Sequence, residues 1–229
     1  MRQLSDDIVM TEGNAAFQEV MGALAAEAPV RLVLCGPAGS GKTTVLQARG
    51  RERDLLSERK ALYAHAQEIK AAIDLEINES LLEQVAEVDL LCLDGLDTLV
   101  AEGPRGCQVA QLLIDERNRR GLATVVAFDG AAADLDRAAF GGALDDFAVA
   151  EVAPLDAAGL AEFGRRMAER FGAEEGAAVL SDEALAYLAE DFATTADEMR
   201  NAVRFLLTAR GFEAGHVVTA DDAREALAS

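Results

Sequence analysis

The run Gly36-Pro37-Ala38-Gly39-Ser40-Gly41-Lys42-Thr43 stands between the apolar stretch Val30-Arg31-Leu32-Val33-Leu34-Cys35 and the helix-like Thr44-Val45-Leu46-Gln47-Ala48. A glycine-rich turn joining a buried strand to a helix aims backbone N–H groups at a phosphate, at the positive end of the helix dipole. In that context the run reads as a complete phosphate-binding loop. Lys42 then reaches the terminal phosphates, and the Thr43 hydroxyl is placed to hold a Mg²⁺ ion. With Thr44 in the first helical turn, the expected ligand is a nucleoside diphosphate or triphosphate.

Outward from the loop, strand and helix patterns alternate as far as Pro154. Asn14 starts a helix with Phe17, Val20, Met21 and Leu24 on one face, ahead of the first strand. Further strands are predicted at Ala61-Leu62-Tyr63-Ala64, Val88-Asp89-Leu90-Leu91-Cys92-Leu93, Ala123-Thr124-Val125-Val126-Ala127-Phe128 and Phe147-Ala148-Val149-Ala150-Glu151-Val152. Near-continuous apolar runs separated by helices predict a parallel sheet covered on both faces. Residues 1–153 are therefore read as an α/β nucleotide-binding domain and 154–229 as a helical lid.

The lid carries its own start signals. Asp156 caps a helix with the stripe Leu160, Phe163, Met167 and Phe171, and Ser181 starts another with Leu185, Leu188 and Phe192. Thr195-Ala196-Asp197-Glu198 reads as a capping box ahead of Met199, Ala202, Val203 and Leu206, and Thr219 caps a last short helix. Phe128, Phe147, Phe171 and Phe192 fit core positions.

Asp94 emerges at the carboxyl end of the third strand, where an open α/β sheet places its ligands. An aspartate there orients Mg²⁺ through its water shell. Enzymes that hydrolyse nucleotides on such a site usually carry a second carboxylate next in sequence, and here that residue is Gly95. Asp97 is the remaining catalytic candidate, with a helix cap or solvated loop as its alternative role. His65 and His216 carry no specific chemistry in this reading.

The 229 residues carry 21 basic and 41 acidic side chains, a formal charge of −20. Duplex DNA affinity rests on Lys and Arg neutralising phosphates, so tight autonomous DNA binding is not expected. Arg49-Gly50-Arg51-Glu52-Arg53 and Arg117-Asn118-Arg119-Arg120 are read as solvated helix ends. Cys35, Cys92 and Cys107 lack metal spacing and read as buried thiols. No apolar stretch approaches the roughly 20 residues that span a bilayer, and the start lacks a signal-peptide shape, so a cytoplasmic location is expected.

The order and spacing of these residues resemble the AAA+ domain of the bacterial replication initiator DnaA and its shortened relative Hda. The resemblance takes in Ile8-Val9-Met10-Thr11-Glu12-Gly13-Asn14, the phosphate loop, Tyr63-Ala64-His65-Ala66-Gln67-Glu68, the strand ending in Asp94, and Asp222-Ala223-Arg224-Glu225-Ala226-Leu227. It implies a P-loop NTPase sheet sandwiched by helices, with a C-terminal helical lid. By the same likeness Ile8, Val9 and Asn14 border an adenine, Asp129 is the polar sensor after the fourth strand, and ATP or ADP with Mg²⁺ is bound.

Departures from the family's pattern matter as much. Its arginine finger falls at Ala143, and its lid arginine falls near Asp197, where Arg200, one turn on, is the partial replacement. Slow hydrolysis at most is expected, and Gly95→Asp would raise it only slightly. The sequence stops at Ser229 without the helix-turn-helix module that follows this domain in DnaA, in line with weak DNA binding. Gln3-Leu4-Ser5 matches the first half of the clamp-binding peptide of Hda-like proteins, but Asp6-Asp7-Ile8 lacks its apolar and proline residues. The implied role is a nucleotide-switched regulator touching another replication protein, an initiator or a sliding clamp. The alternatives are an active ATPase of the helicase-loader type and a static nucleotide-bound scaffold.

Overall fold

The computed structural model describes residues 30–47, 60–74, 83, 85, 87–175, 178–208, 212, 213 and 215–228. Ile8, Val9, Asn14, the helix expected after Asn14, the segment at Gln3 and the stretch Arg49 to Arg53 lie outside them. The described residues fall into two compact units whose sequence boundary lies between Ala153 and Pro154.

In the first unit five parallel strands form one sheet in the order β2-β3-β4-β1-β5. They are β1 (Arg31–Gly36), β2 (Ala61–His65), β3 (Leu90–Asp94), β4 (Ala123–Asp129) and β5 (Ala148–Glu151). Helical backbone over residues 42–47 is α1, followed by α2 (Ala66–Asp74), α3 (Leu96–Ala101) and α4 (Pro104–Arg120). The central strands are almost wholly buried because their side chains face apolar partners on both sides. β3 starts later than its apolar run suggests. Asp89 instead turns its carboxylate to the Lys60 N–H at 2.9 Å. β5 is shorter than expected and mostly exposed, since it pairs only with β1 at the sheet edge.

Register decides where chemistry is possible. Gly36 lies opposite Asp129, and His65 lies opposite Asp94. The carboxyl ends of β1, β4, β3 and β2 thus bring these residues to one edge of the sheet, the edge at which doubly wound sheets bind ligands.

Arg117 overturns its reading as part of a solvated helix end. It is fully buried. Its Nε donates to Thr124 Oγ1 at 2.9 Å and Nη1 to the Val88 carbonyl at 3.1 Å, with further bonds to the carbonyls of Val85 and Ala123. Desolvation holds its guanidinium down to about 10. The side chain turns inward to carbonyls just ahead of β3 and at the start of β4, so the buried guanidinium lies among acceptors. Arg119 and Arg120 behave as expected, both bonding Glu116 at the surface. Cys35, Cys92 and Cys107 are buried thiols outside any disulfide, and burial pushes the Cys35 thiol up to about 11.

The second unit contains α5 (Ala157–Glu175), β6 (Val179–Leu180), α6 (Asp182–Tyr187), a π-helical segment Leu188–Phe192, α7 (Ala196–Thr208), β7 (Val217–Val218) and α8 (Ala220–Leu227). Its core joins Leu160, Phe163 and Met167 of α5 to Leu185, Leu188, Met199, Val203 and Leu206. The caps form largely where the sequence puts them. Asp156 accepts from Gly159 N–H at 2.8 Å, Ser181 accepts from Ala184, and Thr219 and Asp222 form a reciprocal box. At α7 the box is shifted: Thr195 caps Glu198, but Glu198 reaches back to Thr194. Phe192 is 41% exposed rather than core. The π segment adds a residue to the turn and rotates Phe192 off the stripe of Leu185 and Leu188. The two-residue ladder Val179–Leu180 with Val217–Val218 was not expected in a helical lid.

Three surface carboxylates in this unit predict acid sensitivity. Glu198 and Asp222 are held below the usual range chiefly by the backbone N–H groups of Thr194 and Thr219, and Glu162 chiefly by Arg166. Because each folded value lies below its unfolded one, the contribution is complete above about pH 5 and is lost as pH falls through the folded values. Melting followed by circular dichroism should therefore show a transition temperature that drops below about pH 4.5; a flat profile from about pH 6 to 3 would contradict this.

Candidate nucleotide site

Between β1 and α1 the loop turns through Gly39 and Gly41, at φ 77° and 94°. Lys42, at the start of α1, folds back across this loop and is only 4% exposed. Its ammonium donates to the Gly36 carbonyl at 2.7 Å, the Pro37 carbonyl at 2.8 Å and Ser40 Oγ at 3.2 Å. It also pairs with Asp129 Oδ1 at 2.7 Å. The four oxygens hold a buried cation with no phosphate needed, and any anion reaching Lys42 must compete with Asp129. Thr43 is exposed on α1, with Thr44 half-buried beside it.

Asp129 is fixed from a second side. Its backbone N–H donates to Asp97 Oδ1 at 3.1 Å, so Asp97, in the first turn of α3, braces the end of β4. Asp94 is buried at 6% exposure and accepts the Tyr63 hydroxyl on Oδ2 at 2.8 Å. Sequence reading assigned Tyr63 no task of its own. The contact joins residues 31 apart in the chain, which periodicity does not reveal.

Gly95 caps α3 in the left-handed region, at φ 78°. A Cβ there would lie 2.8 Å from His65 Nε2. The His65 ring is anchored by Gln67 N–H, which donates to Nδ1 at 3.2 Å, leaving Nε2 as the protonated nitrogen facing Gly95. Gly95→Asp thus meets two obstacles that the sequence hides. The left-handed backbone costs a side chain roughly 1–2 kcal/mol, and the imidazole must move. The variant should melt lower than the parent and gain less than tenfold in phosphate release; an unchanged melting temperature with a larger gain would contradict the geometry.

Among the described residues no three His, Cys, Asp or Glu side chains cluster as a metal cage. One carboxylate at Asp94 and one hydroxyl at Thr43 suit Mg²⁺, which keeps most of its waters and takes substrate phosphates as further ligands. Ala143 is buried and its carbonyl accepts from Asn118 Nδ2 at 2.8 Å. Arg137, close by in sequence, is spent on the carbonyls of Leu144, Asp145 and Phe147. Arg200 belongs to the second unit, paired with Asp197 at 2.6 Å and stacked over Phe163 at 5.7 Å. His216 stacks on Phe212 and contacts Asp222 at 3.3 Å, in that same unit.

No protein-family model matches the sequence, and no curated protein does. Solved structures do match. Domain III of the replication initiation protein DnaA from Thermotoga maritima superposes with a TM-score of 0.82 at 20% identity, over 97% of this chain and 94% of that one. AMPPCP-bound DnaA from Aquifex aeolicus gives 0.73 at 21% identity, covering 93% of this chain and 66% of that one. The Aeropyrum pernix Orc1 protein in complex with DNA gives 0.67 at 18% identity, covering 99% and 69%. The chain thus spans about two thirds of these two longer proteins. Its fold is the AAA+ fold of DnaA domain III, a P-loop NTPase sheet with flanking helices.

Proposed function

We propose that this chain binds ATP or ADP with Mg²⁺ and acts as a nucleotide-switched regulator of the DnaA/Hda type, working through contact with another replication protein. The observation that carries the reading is Lys42 lying across the loop at the end of β1 with Asp129 and Asp94 on the same sheet edge. Loop N–H groups and Lys42 would take the phosphates, Lys42 exchanging the Asp129 carboxylate for a phosphate oxygen. Thr43 and Asp94 would hold Mg²⁺, which when bound supplies charge compensation at the phosphates. Asp129 would read the terminal phosphate once released from Lys42. Ile8, Val9 and Asn14 remain the proposed adenine border, and Arg200 the proposed lid contact.

Hydrolysis is expected to be slow. Hydrolysis needs a positioned water and compensation of the charge that develops on the leaving oxygen, and loss of an arginine finger alone costs about 10³ or more in rate. Here Ala143 has no charge to offer and Gly95 no carboxylate. Single-turnover assays on the full chain should show one nucleotide retained over hours. Sustained turnover near 1 per second, roughly the lower end for phosphoryl-transfer enzymes, would favour the loader-type ATPase instead.

The partner is proposed to be an initiator or sliding clamp, and the location cytoplasmic. No helix among the described residues is long and apolar enough to cross a membrane. Direct DNA affinity should be weak, because a net charge of −20 repels phosphates. Anisotropy titration with a labelled duplex at physiological salt should give little binding; tight, salt-sensitive binding would contradict the regulator reading.

A further inference from the structure

Asp94 Oδ2 accepts the Tyr63 hydroxyl, which occupies one of its lone pairs and sets the orientation of the carboxylate. Tyr63 sits opposite Cys92 across the β2–β3 ladder, two residues before Asp94 on the same face. The phenol reaches diagonally along that face to the carboxylate. Its hydroxyl also interacts with the side chain of Gln47, on the helix that Lys42 opens.

We propose that Tyr63 is a positioning residue: it fixes the rotation of Asp94, leaves Oδ1 as the oxygen that a divalent cation's water would meet, and ties that carboxylate to the phosphate-loop helix through Gln47. This rests on the nucleotide-binding reading above. Linked hydrogen bonds of this kind reinforce one another in a partly buried setting. They also connect the two halves of the site: a shift of α1 when phosphate binds would be felt at Asp94 without passing through the loop.

Tyr63→Phe keeps the ring and removes the hydroxyl alone. The full chain is titrated with a fluorescent ADP analogue, once in Mg²⁺ and once in EDTA. Affinity in EDTA should stay within about twofold of the parent, while the gain that Mg²⁺ adds should shrink about tenfold or more, the usual effect of losing a hydrogen-bonding neighbour of a metal ligand. Gln47→Leu should act in the same direction by less, and it carries the test by the same criterion if Tyr63→Phe does not fold. An unchanged Mg²⁺ gain overturns the proposal. So does an equal loss in both titrations, which makes Tyr63 a packing residue, and so does a parent that binds without regard to Mg²⁺. A parent that does not bind the analogue in either buffer overturns the nucleotide reading itself, and the role of Tyr63 with it.

Discussion

Lys42→Ala is expected to abolish most adenine-nucleotide binding while leaving the fold intact. The ammonium is the cation that closes the phosphate loop, and it is buried at the point where a phosphate would arrive. Hydrogen bonds to charged groups contribute about 1.5–3 kcal/mol each, so losing the lysine should weaken affinity about a hundredfold or more. Stability should change little, because Asp129 is half exposed and water replaces its partner. Calorimetry of the variant should show ATP and ADP affinity collapsing together. Unchanged affinity in a variant that melts like the parent would remove the phosphate site from the account.

The largest effect on stability should come from Arg117→Met. The methionine fills part of the volume but donates no hydrogen bond, so Thr124 Oγ1 and the carbonyls of Val85, Val88 and Ala123 lose their donor together. A buried acceptor left unpaired costs about 1–3 kcal/mol, against which removal of a desolvated charge is a partial offset. A net loss of about 3 kcal/mol is expected, read from the denaturant midpoint at constant slope. A loss under about 1 kcal/mol would mean that water or relaxed backbone replaces the guanidinium.

What the sequence made legible is what local chemistry encodes. The strand, glycine turn and helix start around Lys42 are contiguous, and Asp94 ends an apolar run, so both are legible from local sequence alone. Caps at Asp156, Ser181 and Thr219 were readable for the same reason: donor and acceptor lie three residues apart. Contacts set by the sheet order were not. Tyr63 meets Asp94 only because β2 lies beside β3, and Asp97 reaches Asp129 only because β3 lies beside β4. Arg117 looks like any basic residue near a helix end until the helix is packed, when its own turn faces inward. Gly95 was visible as a missing carboxylate, whereas its left-handed backbone and the His65 ring beside it were not. Phe192 was misplaced because a π segment breaks the 3.6-residue period on which the stripe was counted.

Adenine-nucleotide binding at Lys42 is the property on which every proposed function of this chain depends. The direct measurement is acid extraction of the freshly purified full chain with chromatography of the extract, followed by calorimetric titration of the stripped protein with ATP, ADP and GTP in Mg²⁺. An adenine nucleotide should be recovered, and the stripped protein should rebind ATP or ADP at a single site in preference to GTP. An extract free of nucleotide, with no heat from either adenine nucleotide in a folded protein, would contradict it.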